Sequence, residues 1–353
     1  VQLKVVIGTV AGVEVQFLNK DGETTNDKGE PIKGKTRPWV VTREISIQAG
    51  EPFNRTQLEG DLKRLYGTSL FSDVKVTLKP VAGEPGNVTI ILGIVEQSTG
   101  SLSGGLGYSQ SQGVFGQVQL SDSNLFGRAW NLALNLTYGQ YGGLANFTFT
   151  DPWIKGDKHR TSFRTSLFLS REVPQVFQSQ NNGNILTLSD YDDNGGGYAY
   201  SINNPPSSFN TDNFKSVGQA SKEFPNTSWF EYEGDSVALQ RVGGNVIFAR
   251  PLNGGDPYKF VPWNVLVGLN VQNVRPINFA GDTRSYALPN DRIKDHRIPN
   301  DDVICIAFNC ATENNLAGLR FAATYSNLND PRNPTSGNFF SFGTEQFVSV
   351  GEN

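Results

Sequence analysis

Methionine is absent from this 353-residue sequence, and histidine and cysteine occur only twice each. The two histidines, His159 and His296, lie far apart, and no HExxH motif, paired cysteine set or nucleophile elbow is present. We therefore expect neither an enzyme, a metal site nor a cofactor. Because the sequence has no initiator methionine and no signal peptide, we also expect it to be a mature or partial piece of a chain.

Long apolar runs and basic blocks are missing as well. No run reaches about 18 apolar residues, so a transmembrane helix is not expected. The net charge is −4 and no block of five basic residues occurs, which makes nucleic acid an unsuitable partner. The mean hydropathy of −0.36 is typical of a soluble protein. Barrel strands alternate apolar and polar residues over about ten positions, however, so this average does not exclude a membrane barrel.

The residues up to Gln97 predict a small α+β module. Its clearest helix begins after Asn54, which can cap the helix with Gln57 three residues later, and it ends at Gly67. A stripe of apolar positions follows helical spacing, formed by Leu58, Leu62, Leu65 and Tyr66. With the flanking alternating segments, including "VQLKVVIG" at the start, the predicted order is strand, helix, helix, strand, strand.

From Ser101 onward the pattern has a period of two, and we predict nine strands. In "AWNLALNLTY", for example, Trp130 and the leucines alternate with asparagine, alanine and threonine. If the strands alternate in direction, the connections at one end of the barrel are all short turns. The other end has two short turns and two very long segments, about 171–235 and 274–317. Transmembrane barrels segregate short and long loops in this way.

The apolar side of these strands could face a core or lipid. No amphipathic helix follows Gly100 to cover it. Aromatic residues bracket the apolar middle of the second hairpin (Trp130, Tyr138, Tyr141 and Trp153), as in an aromatic girdle. We therefore predict an antiparallel transmembrane β-barrel, with a soluble β-sandwich as the alternative. The charged segment 151–160 is interpreted as a solvated turn, and Asp122 and Arg128 as turn and rim residues.

The two cysteines lie close together in "CIAFNC", inside the second long connection. A local disulfide between Cys305 and Cys310 is favoured over a metal site, and it would indicate an oxidising compartment.

Several ordered motifs resemble the BamA/Toc-type outer-membrane assembly factors. They are the glycine-rich "GGLGYS", the turn "DSNLFGR", "FTDPWI", and the later "LQRVGGNVIFARPL" and "NDPRNPTSGNFFSF". The segment "PFNRTQLEGDLKRLYGTSLFSDVKV" resembles a POTRA domain. The resemblance implies the end of a preceding POTRA at 1–8, a POTRA at 9–97 and an outer-membrane barrel at 98–353. The family barrel has sixteen strands, so we expect about seven more in the natural protein. The composition suggests a cyanobacterial or plastid-type member.

This resemblance implies a factor that inserts or translocates proteins at the outer membrane, with its POTRA in the periplasm or intermembrane space. The implied partners are unfolded outer-membrane β-barrel precursors and the lipid bilayer, with periplasmic chaperones or accessory lipoproteins as further candidates. Two alternatives stay open: the secretion pore of a two-partner system and a polypeptide import channel.

Two segments are the candidate sites. The resemblance places client-strand binding by β-augmentation on the strand after the long helix, at Ser72, Asp73, Val74, Lys75, Val76, Thr77 and Leu78. A lateral gate is expected in the first barrel strand, at Gly104, Gly105, Leu106, Gly107 and Tyr108. Glycines weaken strand pairing, which suits a gate; they could equally ease a bend or let an aromatic ring lie over them.

Overall fold

The computed structural model describes most of the chain. The described residues are 8–26, 28–84, 86–109, 113–139, 142–172, 185–191, 197–202, 228–229, 238–277, 281, 283, 286–287, 304–305, 311–330 and 333–350. The predicted strand at 1–8 lies outside them except for its last residue, Gly8.

The N-terminal module, residues 9–97, has the predicted order of elements. Its elements are β1 (Val10–Leu18), α1 (Pro38–Thr42), α2 (Arg55–Gly67), β2 (Phe71–Pro80) and β3 (Val88–Glu96). The three strands form one sheet in the order β1-β3-β2, in which β3 is parallel to β1 and antiparallel to β2. The α+β prediction is thus confirmed.

The core of this module lies between the sheet and the two helices. Alternate residues of the central strand, Ile90, Leu92 and Ile94, are fully buried in one cluster with Leu58 and Leu65 of α2. The Asn54 side chain accepts a hydrogen bond from the Gln57 N–H at 3.2 Å, and α2 ends at Gly67, both as predicted.

Tyr66 departs from the predicted apolar stripe. Its side chain is 44% exposed, and its hydroxyl reaches the backbone of β2 instead of the core. The apolar stripe of α2 therefore consists of Leu58, Leu62 and Leu65.

The remaining strands occupy the rest of the described chain. They are β4 (Gly100–Ser109), β5 (Gly113–Leu125), β6 (Trp130–Gly139), β7 (Gly143–Asp151), β8 (Ser162–Glu172), β9 (Ile185–Tyr191), β10 (Gly197–Ile202), β11 (Ser228–Trp229), β12 (Ala238–Pro251), β13 (Trp263–Ile277), β14 (Tyr286–Ala287), β15 (Ile304–Cys305), β16 (Asn314–Ser326) and β17 (Phe339–Ser349).

Nine of these strands form one antiparallel sheet, which we call the barrel wall. Its order is β17-β16-β13-β12-β8-β7-β6-β5-β4, so neighbours in the wall follow one another along the chain. These are the nine predicted strands. The two long connections contain two small sheets, one of β9, β10 and β11 and one of β14 and β15. No helix in the described part of the chain is long and apolar enough to cross a membrane.

The outward face of the barrel wall is apolar and exposed. Leu134 lies between Leu120 and Phe147 on neighbouring strands, and Leu269 lies between Val246 and Leu319. At the wall's edge Leu106 is 90% exposed. Since no described element forms a second layer over this face, the structure favours a lipid-facing wall over the soluble β-sandwich.

The inward face is polar. The hydroxyls of Thr148 and Ser166 are buried and lie 3.1 Å apart, and the Asn270 side-chain amide donates to Glu345 at 3.2 Å. This alternation places polar groups in the lumen and apolar groups in lipid, as expected for a barrel with a polar interior.

An aromatic belt runs along the wall beside the short turns. The ring centroids of Trp130 and Phe149 are 5.4 Å apart, and Phe163 and Phe248 continue the belt at 6.3 and 5.2 Å. The belt reappears as Trp263, Tyr325 and Phe340, with spacings of 5.2 and 5.9 Å.

The girdle prediction was therefore right for Trp130 and wrong for Trp153. Trp153 is only 6% exposed and packs against the N-terminal module rather than facing lipid. Tyr141 lies outside the described residues.

Candidate functional site

Strand β2 forms an edge of the N-terminal sheet, because it pairs only with β3 among the described strands. The N–H group of Val74 points away from β3, since it donates to the Tyr66 hydroxyl at 3.0 Å and to the Asp73 carboxylate at 2.9 Å. Backbone groups alternate sides along an antiparallel strand, so the N–H groups of Val76 and Leu78 also point away from β3.

The predicted client-binding segment is thus divided into two parts. At Val74 the free edge is already occupied by Tyr66 and Asp73, and Ser72 lies beside a register shift between Phe71 and Asp73. From Val76 to Leu78 no described residue occupies the edge. The open N–H groups of this edge therefore lie in the C-terminal half of β2.

Strand β4 forms one edge of the barrel wall and pairs only with β5 in the described part of the chain. Leu102, Leu106 and Tyr108 are exposed on its outward face. Gly107 has a packing role, because the Phe115 ring lies where a Cβ atom would be, 2.6 Å away. Gly104 and Gly105 have no such neighbour: their nearest atoms would be 3.4 and 3.8 Å from a Cβ.

The three glycines of the predicted gate therefore differ. Gly107 fits the alternative prediction from the sequence, in which a glycine lets an aromatic ring lie over it. Gly104 and Gly105 are not required by packing, and they leave the middle of this edge strand with little side-chain contact to β5.

The predicted disulfide stays a prediction. The backbone of Cys305 lies in β15, but its side chain and all of Cys310 lie outside the described residues. Among the residues that are described, no group of three histidine, cysteine, aspartate or glutamate side chains is arranged to hold a metal.

Three short turns of the barrel wall contact the N-terminal module; we call 126–129 the first turn, 152–161 the second and 252–262 the third. At the first turn, the Arg37 N–H donates to the Gly127 carbonyl at 2.8 Å, and the Asn124 amide donates to Thr36 at 2.8 Å. Gly127 has a φ of +71°, and a Cβ there would lie 1.8 Å from the Lys35 carbonyl oxygen. Only glycine permits this approach.

The second turn forms a cation–aromatic stack with α1. The Arg43 guanidinium lies between the rings of Trp39 and Trp153, at 5.1 and 5.3 Å from their centroids. The Arg160 guanidinium also lies over the Trp153 ring, 4.7 Å from its centroid, and the Lys155 ammonium lies 5.2 Å from the centroid of Trp39. Five side chains from the two domains thus alternate between cation and ring.

A buried carboxylate holds this stack together. Glu44 is only 2% exposed and lies 2.8 Å from Arg160 and 3.8 Å from Arg43. Arg43 also donates to the Trp153 carbonyl at 3.0 Å. Burial lowers the pKa of Arg43, while the negative charges of Glu44 and Asp151 oppose this shift.

The third turn and the connecting segment complete the junction. The Arg64 guanidinium of α2 lies 5.0 Å above the ring of Tyr258, and burial raises the pKa of that phenol. Within the N-terminal module, the Glu96 carboxylate accepts hydrogen bonds from the N–H groups of Lys35 and Thr36 at 2.8 and 2.6 Å, which fixes the segment that meets the first turn. The Lys35 ammonium is 3.0 Å from Asp122 on β5.

These contacts correct two sequence interpretations. The segment 151–160 is not merely a solvated turn, because Trp153 is buried and Arg160 neutralises a buried acid of the other domain. Asp122 is a partner in the junction rather than a rim residue alone. Trp153 was the sequence signal for this contact, because a tryptophan is unusual in a charged turn that is fully solvated.

Comparison with known proteins agrees with this architecture. The family model "Omp85 superfamily domain" matches residues 124–353, and the POTRA model, "Surface antigen variable number repeat", matches 31–97. Outer envelope protein 80, chloroplastic, from Oryza sativa subsp. japonica is 30% identical over 200 residues, which are 55% of this chain and 28% of that protein.

Two bacterial proteins are also similar. The outer membrane protein assembly factor BamA of Neisseria meningitidis serogroup B is 31% identical over 123 residues, covering 35% of this chain and 15% of that protein. The crystal structure of BamA from Haemophilus ducreyi lacking POTRA domains 1–3 has a TM-score of 0.51 at 17% identity, covering 96% of this chain and 49% of that one. The chain thus spans well under half of each curated relative and shares the fold of the solved structure.

The ion pair at the junction can be tested by substitution. Arg160→Met should lower the free energy of unfolding by about 3 kcal/mol, because it removes the nearer partner of a buried carboxylate. Glu44→Gln combined with Arg160→Met should lower the free energy of unfolding by less, because the Glu44 carboxylate is then no longer buried without its nearer partner. Urea unfolding followed by tryptophan fluorescence measures both.

Lys158→Met is the matched control for this pair, because Lys158 is exposed on the same turn; it should change stability by less than about 0.5 kcal/mol. The assignment is contradicted if Arg160→Met costs no more than this control.

Proposed function

We propose that this chain, which belongs to the Omp85 superfamily, forms part of a factor that inserts unfolded β-barrel precursors into the outer membrane. The N-terminal module, residues 9–97, would lie in the periplasm or intermembrane space, and residues 98–353 would form the barrel, whose strands cross the bilayer. The observation that carries the proposal is the open edge of β2, joined through one ordered junction to β4, whose middle at Gly104 and Gly105 packs weakly on β5.

The first step is capture of an extended client segment at β2. The N–H groups of Val76 and Leu78 are directed to the open side of the sheet, and the client's main chain would pair with them. Because main chain supplies the hydrogen bonds, such binding tolerates many client sequences. The side chains of Val74 and Val76 stay packed on the core of the module, so capture needs no unfolding of the sheet.

The second step is pairing of a client strand with β4. In lipid an unpaired backbone group costs several kcal/mol, so a client strand entering the bilayer is driven to pair with an available edge. The weakly packed middle of β4, at Gly104 and Gly105, supports its assignment as the place where pairing is exchanged. The connection Gln97–Thr99 is only three residues long, so the N-terminal module is tethered directly to this strand.

The proposed activity exchanges hydrogen bonds and makes or breaks no covalent bond. The polar inward face around Asn270 and Glu345 also suits passage of a polypeptide, which supports a secretion or import channel as the second candidate. A channel needs only this polar interior, whereas the insertion mechanism also requires that a client strand can pair with the edge of β4.

Capture at β2 predicts a specific effect of proline. Leu78→Pro should weaken binding of an unfolded barrel precursor about three- to tenfold, because it removes an N–H group on the open side without breaking a bond to β3. Leu78→Ala keeps that N–H group and is the control. Fluorescence anisotropy of a labelled precursor measures the affinity, and equal binding by the two variants would exclude this edge as the capture site.

The gate predicts that a stronger β4 slows insertion. Gly104→Val adds a β-branched side chain on the outward face and should stabilise pairing with β5 by about 1 kcal/mol. Insertion of a client barrel into proteoliposomes should then slow about fivefold. Ala145→Val, on the same face in the middle of the wall, is the control and should leave the rate unchanged. An unaltered rate in Gly104→Val would favour the channel over the insertase.

A further inference from the structure

A cleft of about 440 Å³ lies where the first and second turns meet the start of α1. It is lined by Arg37, Trp39, Arg128, Trp130, Asp151 and Lys155. The proposed function uses none of these residues to contact a client.

The cleft carries an excess of positive charge. Within the described structure, the charged groups of Arg37, Arg128 and Lys155 form no ion pair and donate no hydrogen bond. Arg128 and Lys155 instead lie over aromatic rings: the Arg128 guanidinium is 4.6 Å from the centroid of Trp130, and the Lys155 ammonium is 5.2 Å from that of Trp39. These contacts hold the cations in place and leave their donors available.

One acid lines the cleft, and it is already partly engaged. Asp151 accepts a hydrogen bond from the Trp153 N–H at 3.1 Å, and its charge acts on Arg43. Three cations therefore face one carboxylate. A cleft of this size with two surplus positive charges is suited to an anion with several oxygen acceptors.

The position of the cleft identifies the kind of anion. Trp130 belongs both to the cleft and to the aromatic belt, which continues over Phe149 and Phe163 on the outward face of the wall. The cleft therefore lies where the apolar band ends and the N-terminal module begins. An occupant with an anionic head and an apolar tail would place the head among the cations and the tail along the belt.

We propose that this cleft binds the phosphodiester headgroup of an anionic phospholipid from the membrane leaflet next to the N-terminal module. The bound headgroup would contact Arg37 of that module and Arg128 and Lys155 of the barrel turns at once. It would thereby add a lipid bridge to the junction. This inference goes beyond the proposed function, because the site would exist whether the barrel inserts or exports its client.

Native mass spectrometry of the full chain in detergent tests the site. Phosphatidylglycerol and phosphatidylcholine with identical acyl chains are added separately, and retained lipid is counted. We expect phosphatidylglycerol to be retained in preference to phosphatidylcholine. Arg128→Gln with Lys155→Gln should weaken its retention about tenfold, since two charge-assisted contacts are lost. Lys158→Gln with Lys259→Gln removes the same charge from exposed positions outside the cleft and should retain the lipid normally.

The possible outcomes distinguish a lipid phosphate from a free phosphate and control for loss of folding in the variants. Equal retention of the two lipids, or unchanged retention in Arg128→Gln with Lys155→Gln, overturns the proposal. Displacement of phosphatidylglycerol by an equal concentration of inorganic phosphate assigns the cleft to a free anion and also overturns it. If the double variant unfolds at a lower temperature than its control, Arg37→Gln replaces it, because the charged group of Arg37 makes no described contact. Client insertion is not measured, so failure here is distinct from failure of the proposed function.

Discussion

Backbone hydrogen bonding is the constraint on which this structure depends. Every N–H and C=O group in a membrane-spanning sheet must find a partner within protein, because lipid offers none. The described barrel wall meets this requirement along eight neighbouring pairs of strands and leaves it open at its two edge strands, β4 and β17. The N-terminal sheet leaves it open in water, at the C-terminal half of β2. The edges of β2 and β4 differ in their surroundings, so under the proposed function a client strand would gain more from pairing at β4 than at β2.

The junction between the domains fixes the position of β2 relative to β4. Glu44 is buried, and a buried carboxylate is tolerated only when it is well paired, so Arg160 of the second turn and Arg43 of α1 are both required near it. The rings of Trp39 and Trp153 then keep the guanidinium groups in place. Gly127 lets the first turn approach the Lys35 backbone, and Arg64 contacts the third turn. Since three separate turns are engaged, rotation of the N-terminal module would break contacts at all of them.

Period-two and helical patterns were enough to predict the elements but not the junction. Alternation along segments such as "AWNLALNLTY" gave all nine strands of the wall, and Asn54 and Gly67 gave the limits of α2, because these signals are local. The contact of Arg43 with Trp153 spans 110 residues, and that of Arg160 with Glu44 spans 116, so no local pattern contains them. Tyr66 had helical spacing for the core, yet its hydroxyl prefers an unpaired N–H group of β2. Among the three glycines of the predicted gate, only the position of Phe115 separates Gly107 from Gly104 and Gly105.

The central claim is that client strands add to the edges of β2 and β4. Hydrogen–deuterium exchange of the full chain, with and without a stalled barrel precursor, tests this most directly because it reports on the backbone amides themselves. The account predicts new protection of the amides of Val76 and Leu78 and of the amides of β4 that face away from β5, with β6 to β13 unchanged. Protection confined to the inward face of the wall, or none at β2 and β4, would contradict it.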